Sequence, residues 1–252
     1  MEKIYDVTAL GEMLIDFAVN GESEQGNQLF EACPGGAPCN VLAMLNKLGR
    51  KTAFIGKVGD DQFGKLLRDT ITNIGIEAKG LVMDQDIHTT LAFVHTFPDG
   101  EREFSFYRKP GADMMLKASE VAYDLIRQAE IFHFGTLSMT DETVREATIQ
   151  AIALAKEQGL LISFDPNLRP PLWKSMDEAK VQIAYGLGQC DVLKISDNEI
   201  EFMTDTSDFD EGVQILMDQY PNIRLLNLTA GADGSYSYYQ GKKVFVPSYL
   251  LG

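Results

Sequence analysis

Nearly unbroken apolar runs alternate along this chain with stretches whose apolar positions recur every three or four residues. The runs are "DVTALGE" (6–12), "TAFIGKVG" (52–59), "EIFHFG" (130–135), "GLLISFD" (159–165), "DVLKIS" (191–196) and "IRLLNLT" (223–229). Between them, residues 37–48, 60–75, 141–158 and 177–189 carry helical spacing; in the second of these, Phe63, Leu66, Leu67 and Ile71 fall on one face. Strands buried on both faces and separated by amphipathic helices predict an α/β fold with a mostly parallel central sheet covered on both sides. Right-handed crossovers in such a sheet gather ligands at the carboxyl ends of the strands. The glycines and acids of this sequence follow directly after the apolar runs.

Two stretches, 13–34 and 88–108, break the rhythm. "LAFVHTF" (91–97) and "EREFSFYR" (101–108) alternate between apolar and polar positions, and Pro98-Asp99-Gly100 between them predicts a hairpin turn. A small β-subdomain built from these two insertions would form a lid over the strand ends and exclude water. The other reading is a plain extension of the sheet edge.

Composition narrows the classes. The 252 residues include 37 Asp and Glu against 22 Lys and Arg, a formal net charge of −15, with no basic stripe for nucleic acid. An anionic cofactor must therefore be held by backbone N–H groups, a few placed cations and Mg²⁺ against an unfavourable overall field. Cys33, Cys39 and Cys190 form no closed disulfide set and are expected as reduced core thiols, and His88, His95 and His133 show no metal-ligand spacing with them. "MEKIYD" (1–6) lacks the pattern of a signal peptide, and no apolar run approaches the roughly 18 residues of a membrane span. The expectation is a soluble, cytoplasmic protein without a membrane or nucleic-acid partner.

The candidate chemistry lies in an ordered series: Asp16 in "GEMLID", the segment "PGGAPCN" (34–40), "GKVGDDQFG" with Gly56, Gly59, Asp61 and Gly64, then "FDPNLRPPLW" (164–173), "KISDNEIE" (194–201) and "LTAGADGSYSYY" (228–239). There is no Walker A sequence, and "GADGSY" is not a dinucleotide fingerprint. Each segment has a bland alternative. Asp16 could cap a turn, the glycines could be turn residues, and Asp197 could simply N-cap a helix carrying Asn198 and Glu201. Arg169 could be a loop charge, and Phe104, Phe106 and Tyr107 hairpin packing.

Taken together the series resembles the ribokinase-like (PfkB) carbohydrate kinase family over essentially the whole chain. "GKVGDDQFG" is similar to the family's Gly-x-x-Gly-x-Asp-x-x-Gly signature, "PGGAPCN" to its glycine-pair segment, and Asn198 and Glu201 to its NxxE element. "GEREFSFYRKPGADMML" (100–116) resembles bacterial fructokinases most, with the keto-deoxy-gluconate kinases close. The resemblance implies a ribokinase-like three-layer fold with a β-lid formed by 13–34 and 88–108, in one kinase domain. It also implies ATP and Mg²⁺ as cofactors, with a monovalent cation such as K⁺, and a homodimer through the lid. On the sugar side it implies Asp16, Gly35, Gly36, Asn40, Arg108 and Arg169. The glycine pair would let a backbone approach the ring, Asp16 would accept hydroxyl protons, and the arginines would orient the substrate or a phosphate. On the nucleotide side it implies Lys194, Asn198, Thr229, Gly231 and Gly234, with Glu201 holding Mg²⁺ through water.

The family's second signature, Gly-Ala-Gly-Asp, supplies an anion hole and the general base, and it does not occur in these residues. The expectation is that the C-terminal part of the fold is missing and that this chain alone transfers phosphate weakly or not at all, with no catalytic base identified. A fructokinase is the leading reading. A 2-keto-3-deoxygluconate kinase, with Arg108 and Arg169 on a carboxylate, and a non-catalytic sugar-binding module are the alternatives.

Overall fold

A computed structural model describes residues 2–96 and 102–249. The hairpin turn expected at Pro98-Asp99-Gly100 lies outside the described residues. Thirteen strands and seven α-helices follow one another along the described chain. β1 (Tyr5–Leu10), β2 (Leu14–Glu22) and β3 (Gln28–Gly35) lead into α1 (Ala37–Lys47). β4 (Thr52–Gly59), α2 (Gln62–Ile74), β5 (Glu77–Asp84), β6 (Leu91–Thr96), β7 (Arg102–Tyr107) and α3 (Tyr123–Arg127) come next. The rest are β8 (Ala129–Gly135), α4 (Glu142–Glu157), β9 (Leu161–Asp165), α5 (Met176–Gln189), β10 (Val192–Ser196), α6 (Asp197–Thr204), α7 (Phe209–Gln219), β11 (Leu225–Thr229), β12 (Ser235–Tyr239) and β13 (Lys242–Val246).

The large sheet has the order β13-β12-β11-β10-β9-β8-β1-β4-β5. From β11 to β5 all neighbours are parallel, and only β12 and β13 run antiparallel at one edge. Burial on both faces explains the apolar runs. Along β1 and β4 the side chains alternate between two cores: Val7, Ala9 and Phe54 pack with Leu42, Leu67 and Ile71 of α1 and α2. Leu10, Ala53 and Ile55 join Leu125, Ala147 and Ala151 of α3 and α4 on the other face. The chain leaves β1 towards β4 and β5, then returns to its other side at β8 and continues to β11. β1 and β8 therefore flank the topological switch point, where a doubly wound sheet opens a crevice at its carboxyl ends.

The second sheet, of order β3-β2-β6-β7, is built from the two stretches that broke the helical rhythm. β6 runs parallel to β2 and antiparallel to β7. Its base is fastened by two adjacent buried threonines. Asp61 caps α2 by accepting the Gly64 N–H at 2.8 Å, and also accepts the N–H and the hydroxyl of Thr89, each at 2.8 Å. The Thr89 hydroxyl in turn accepts the Gly59 N–H. A Cβ on Gly64 would overlap the carbonyl oxygen of Gly59, so the spacing Gly59-x-Asp61-x-x-Gly64 is what lets strand and helix close on Thr89. Thr90 donates to Asp113 at 2.5 Å, and Asp113 pairs with Arg108 just beyond β7.

Sequence periodicity left three strands unread. β5 is an edge strand with mixed burial, and β12 and β13 are largely polar or exposed. Cys39 and Cys190 are buried free thiols as expected, whereas Cys33 on β3 is only half-buried. Among the described residues no helix is long and apolar enough to cross a membrane, and no group of three or more His, Cys, Asp or Glu could hold a metal ion.

Candidate active site

A cavity of about 350 Å³ opens at the switch point, between the carboxyl ends of the large sheet and the face of the small one. Its lining includes Glu12 just after β1, Asp16 on β2, Gly36 and Asn40 at the start of α1, Phe104 and Phe106 on β7, and Asp165, Asn167 and Arg169 at and after β9. Four segments, after β1, on β2, in α1 and at the end of β9, thus contribute polar groups to one wall, and two aromatic rings of β7 close the other.

The local geometry explains the glycine pair. Gly35 ends β3 beside Asp16, and a Cβ there would strike the Asp16 carboxylate. Gly36 sits at φ 123°, where an L side chain is strained, and a Cβ would lie 2.5 Å from the Glu12 carbonyl oxygen. Asp16 is half-buried and no donor among the described residues engages it; burial raises its carboxyl pKa, and the nearby Arg169 guanidinium partly offsets that. Arg169 lies 6.0 Å from the Phe104 ring centroid and donates to the Leu168 carbonyl. The site thus presents a free carboxylate, an exposed amide on Asn40, a guanidinium and an aromatic wall. That is chemistry for a small polyhydroxylated ligand with one apolar face.

Arg108 is not part of this wall. Its guanidinium is buried and fully engaged: it pairs with Asp113 at 2.7 Å and donates to the Thr140 hydroxyl and the Leu137 carbonyl, each at 2.9 Å. In place of the expected substrate contact the Arg108 side chain serves as an internal anchor, turned inward directly after the exposed Tyr107 that ends β7.

The metal and nucleotide residues divide similarly. α6 begins at Asp197, and one residue advances the helix by about 100°, so Glu199 and Glu201 point to opposite sides. Glu201 is exposed and lines a separate cleft with Met176, Lys180 and Phe202. Glu199 is the inward acid, accepting the Leu168 N–H at 2.7 Å and the Ser196 N–H at 2.8 Å. Asn198 is exposed on the same first turn. Lys194 on β10 reaches Asp165 at 3.1 Å, next to the cavity, and Thr229 ends β11, the neighbour of β10. Gly231 is exposed. Gly234 is buried at φ 127° with the Val246 carbonyl against it, so close strand packing accounts for that glycine.

Sequence reasoning missed Glu12, Asp165, Asn167 and Glu199. Asp165 and Asn167 stand in the quoted "DPNLR", and their position after an apolar run was the available signal; Glu199 needed only the helical phase.

The pfkB family carbohydrate kinase profile matches residues 5–249. Fructokinase-2 of Solanum lycopersicum is 45% identical over 238 residues, 94% of this chain and 72% of that protein. Fructokinase from Xylella fastidiosa superposes with a TM-score of 0.89 at 32% identity, over 98% of this chain and 77% of that one. Its ATP-bound form gives 0.86 at 33% identity, over 97% and 78%. A double mutant of Vibrio cholerae O395 fructokinase with fructose, ADP and potassium ion bound gives 0.88 at 30% identity, over 100% and 78%. These alignments do not establish the missing C-terminal part of the fold that the sequence led us to expect.

Proposed function

The chain belongs to the pfkB family of carbohydrate kinases, and from that premise we propose that it transfers the γ-phosphate of ATP to a hydroxyl of fructose. The observation that carries the sugar side is the unengaged Asp16 carboxylate, facing Arg169, Asn40 and the glycine pair across one cavity walled by Phe104 and Phe106. Asp16 would accept two sugar hydroxyls, Asn40 a third, and the rings would cover the apolar face. The small sheet would act as the lid, since its inner face supplies Asp16, Phe104 and Phe106. The relatives named fructokinase support the choice of sugar. The sugar-acid reading loses one of its two cations, because Arg108 is committed internally.

Bound ATP and ADP in the Xylella and Vibrio structures support nucleotide use. Lys194 in β10 and Thr229 at the end of the neighbouring β11 are assigned to the phosphates. Mg²⁺ is usually held by substrate phosphates with one or two carboxylates and several waters. The residues present fit that mode: Asp165 keeps one oxygen clear of the described hydrogen bonds, and Glu199 is the inward acid. When bound, the ion would neutralise charge on the transferring phosphoryl group. The potassium ion of the Vibrio structure extends the proposal to a monovalent cation.

Fructose-dependent ADP release from the 252-residue chain, with Mg-ATP and a panel of sugars and sugar acids, tests the reading. Fructose is expected to be preferred. No Gly-Ala-Gly-Asp occurs in these residues, and turnover is expected to be on the order of 10²–10⁴-fold below that of a kinase carrying its general base. Preference for a sugar acid would replace the substrate assignment. Sugar binding with no ADP release at all would favour a binding module.

The outer face of the small sheet exposes Val19, Phe30 and Tyr107. We assign this face to a homodimer contact, and light scattering is expected to give twice the chain mass; a monomer across the micromolar range would remove the assignment.

A further inference from the structure

Glu12 is a carboxylic acid only 3% exposed, yet it lines the sugar cavity. It grips the start of α1 in two ways. Its Oε1 accepts the N–H of Ala37, the first residue of the helix, at 2.8 Å. Its backbone carbonyl packs against Gly36, and the preceding Gly11 is in contact with Pro38 of the same turn, so nothing larger than glycine fits at either point. Gly36 and Asn40, both on the cavity wall, therefore take their position from Glu12.

We propose that Glu12 is a positioning residue that makes sugar affinity depend on pH: its carboxylate holds the first turn of α1 against the cavity, and protonation loosens that turn. This rests on the sugar-kinase reading above. The physical difference between the two states is local. A carboxylate at the positive end of an 11-residue helix accepts a charge-assisted bond from Ala37, whereas a neutral carboxyl accepts an ordinary one. The groups facing it are Asp113 and Arg108 from beyond β7, the Cys39 thiol from α1, and Asp16 and Arg169 around the cavity. Burial pushes the Glu12 carboxyl up to about 7, with Asp113 adding to the rise and Arg108 opposing it, so the switch falls in the neutral range. His133, the buried histidine, is pushed down to about 4 and does not titrate there.

The sign of the effect on folding is opposite to that on binding. A carboxyl whose pKa is raised in the folded chain adds stability below its unfolded value of 4.5, and that contribution is lost as pH climbs through about 7. Ionised Glu12 thus strains the fold while it orders the site.

The test is calorimetric titration of fructose into the full chain from pH 5.5 to 8.5, in buffers of different ionisation enthalpy. Wild-type affinity is expected to fall about three- to tenfold between pH 8 and 6, with proton release on binding near pH 7. Glu12→Gln is expected to bind at the weaker level at every pH without proton release, and to unfold at a higher temperature than the wild type at pH 8. A residue with a purely structural role would not give weaker binding together with greater stability. Wild-type affinity that is flat with pH and releases no protons overturns the inference, and this readout stands even if the variant does not fold. A Glu12→Gln chain that keeps the wild-type pH profile also overturns it. Absence of sugar binding at every pH overturns the sugar-kinase reading and, with it, the role of Glu12; sugar binding with an unchanged Glu12→Gln profile removes only the latter.

Discussion

Replacing Asp16 by alanine is expected to weaken fructose binding by on the order of 10²–10⁴-fold. Two hydrogen bonds from sugar hydroxyls to a charged group contribute about 1.5–3 kcal/mol each, and every 1.4 kcal/mol is about a factor of ten. The Asp16 carboxylate accepts no hydrogen bond among the described residues, so its loss breaks no internal hydrogen bond. Its pKa is raised in the folded chain, chiefly by burial, and its ionised form therefore costs stability in the neutral range. The alanine variant should unfold at the wild-type temperature or slightly above it, with binding all but lost. Calorimetric titration beside a thermal melt reads both. Sugar affinity that survived the change would move the substrate site away from this cavity.

Removing Asp113 should act in the reverse way, on the fold first. Arg108 and Asp113 have side chains only 2% exposed, and Asp113 is also the acceptor for Thr90. Deleting one partner of a buried pair leaves an uncompensated charge and typically costs about 3–5 kcal/mol. For a chain of this size that corresponds to a fall in Tm of roughly 6–20 °C. The expected result for Asp113→Ala is a melt lowered within that range, with fructose affinity reduced as well, because Thr90 fixes the start of β6 and Arg108 the end of its partner β7, which carries Phe104 and Phe106. Asp113→Leu combined with Arg108→Leu should recover part of the loss, since no buried charge is then left alone. A single variant that melts within a degree of the wild type would show that water reaches the guanidinium.

Much of this architecture is legible in the sequence. The six apolar runs are all strands of the large sheet, because a parallel strand buried on both faces has no polar positions to hide it. The four helices named from periodicity are present within two residues at each end. Edge strands obey weaker constraints, and β5, β12 and β13 escaped for that reason. The glycine pair was legible as a backbone shape, since no Cβ fits at Gly35 or Gly36. Where a side chain's direction decides, the sequence was not enough. Arg108 has the expected type, but its partner Asp113 lies beyond a turn that spacing cannot resolve. Glu201 has the expected charge on the outer side of a helix whose N-cap is Ser196, one residue before the Asp197 that the sequence suggests. Glu12 meets Ala37 across 25 residues of chain, a contact only the folded sheet creates.

The place of β1 in the sheet has a consequence for how the chain is made. β1 is central, with β4 on one side and β8 on the other, and its β8 partner is first reached at Ala129. During synthesis β1, β4 and β5 can pair early, while the other edge of β1 stays open until residues beyond Ala129 have left the ribosome. At about 5–20 residues per second this interval lasts several seconds, with an apolar strand edge ready to pair with any similar edge nearby. Crowded expression should therefore divert this protein at the nascent stage, before the cavity that defines it has a second wall.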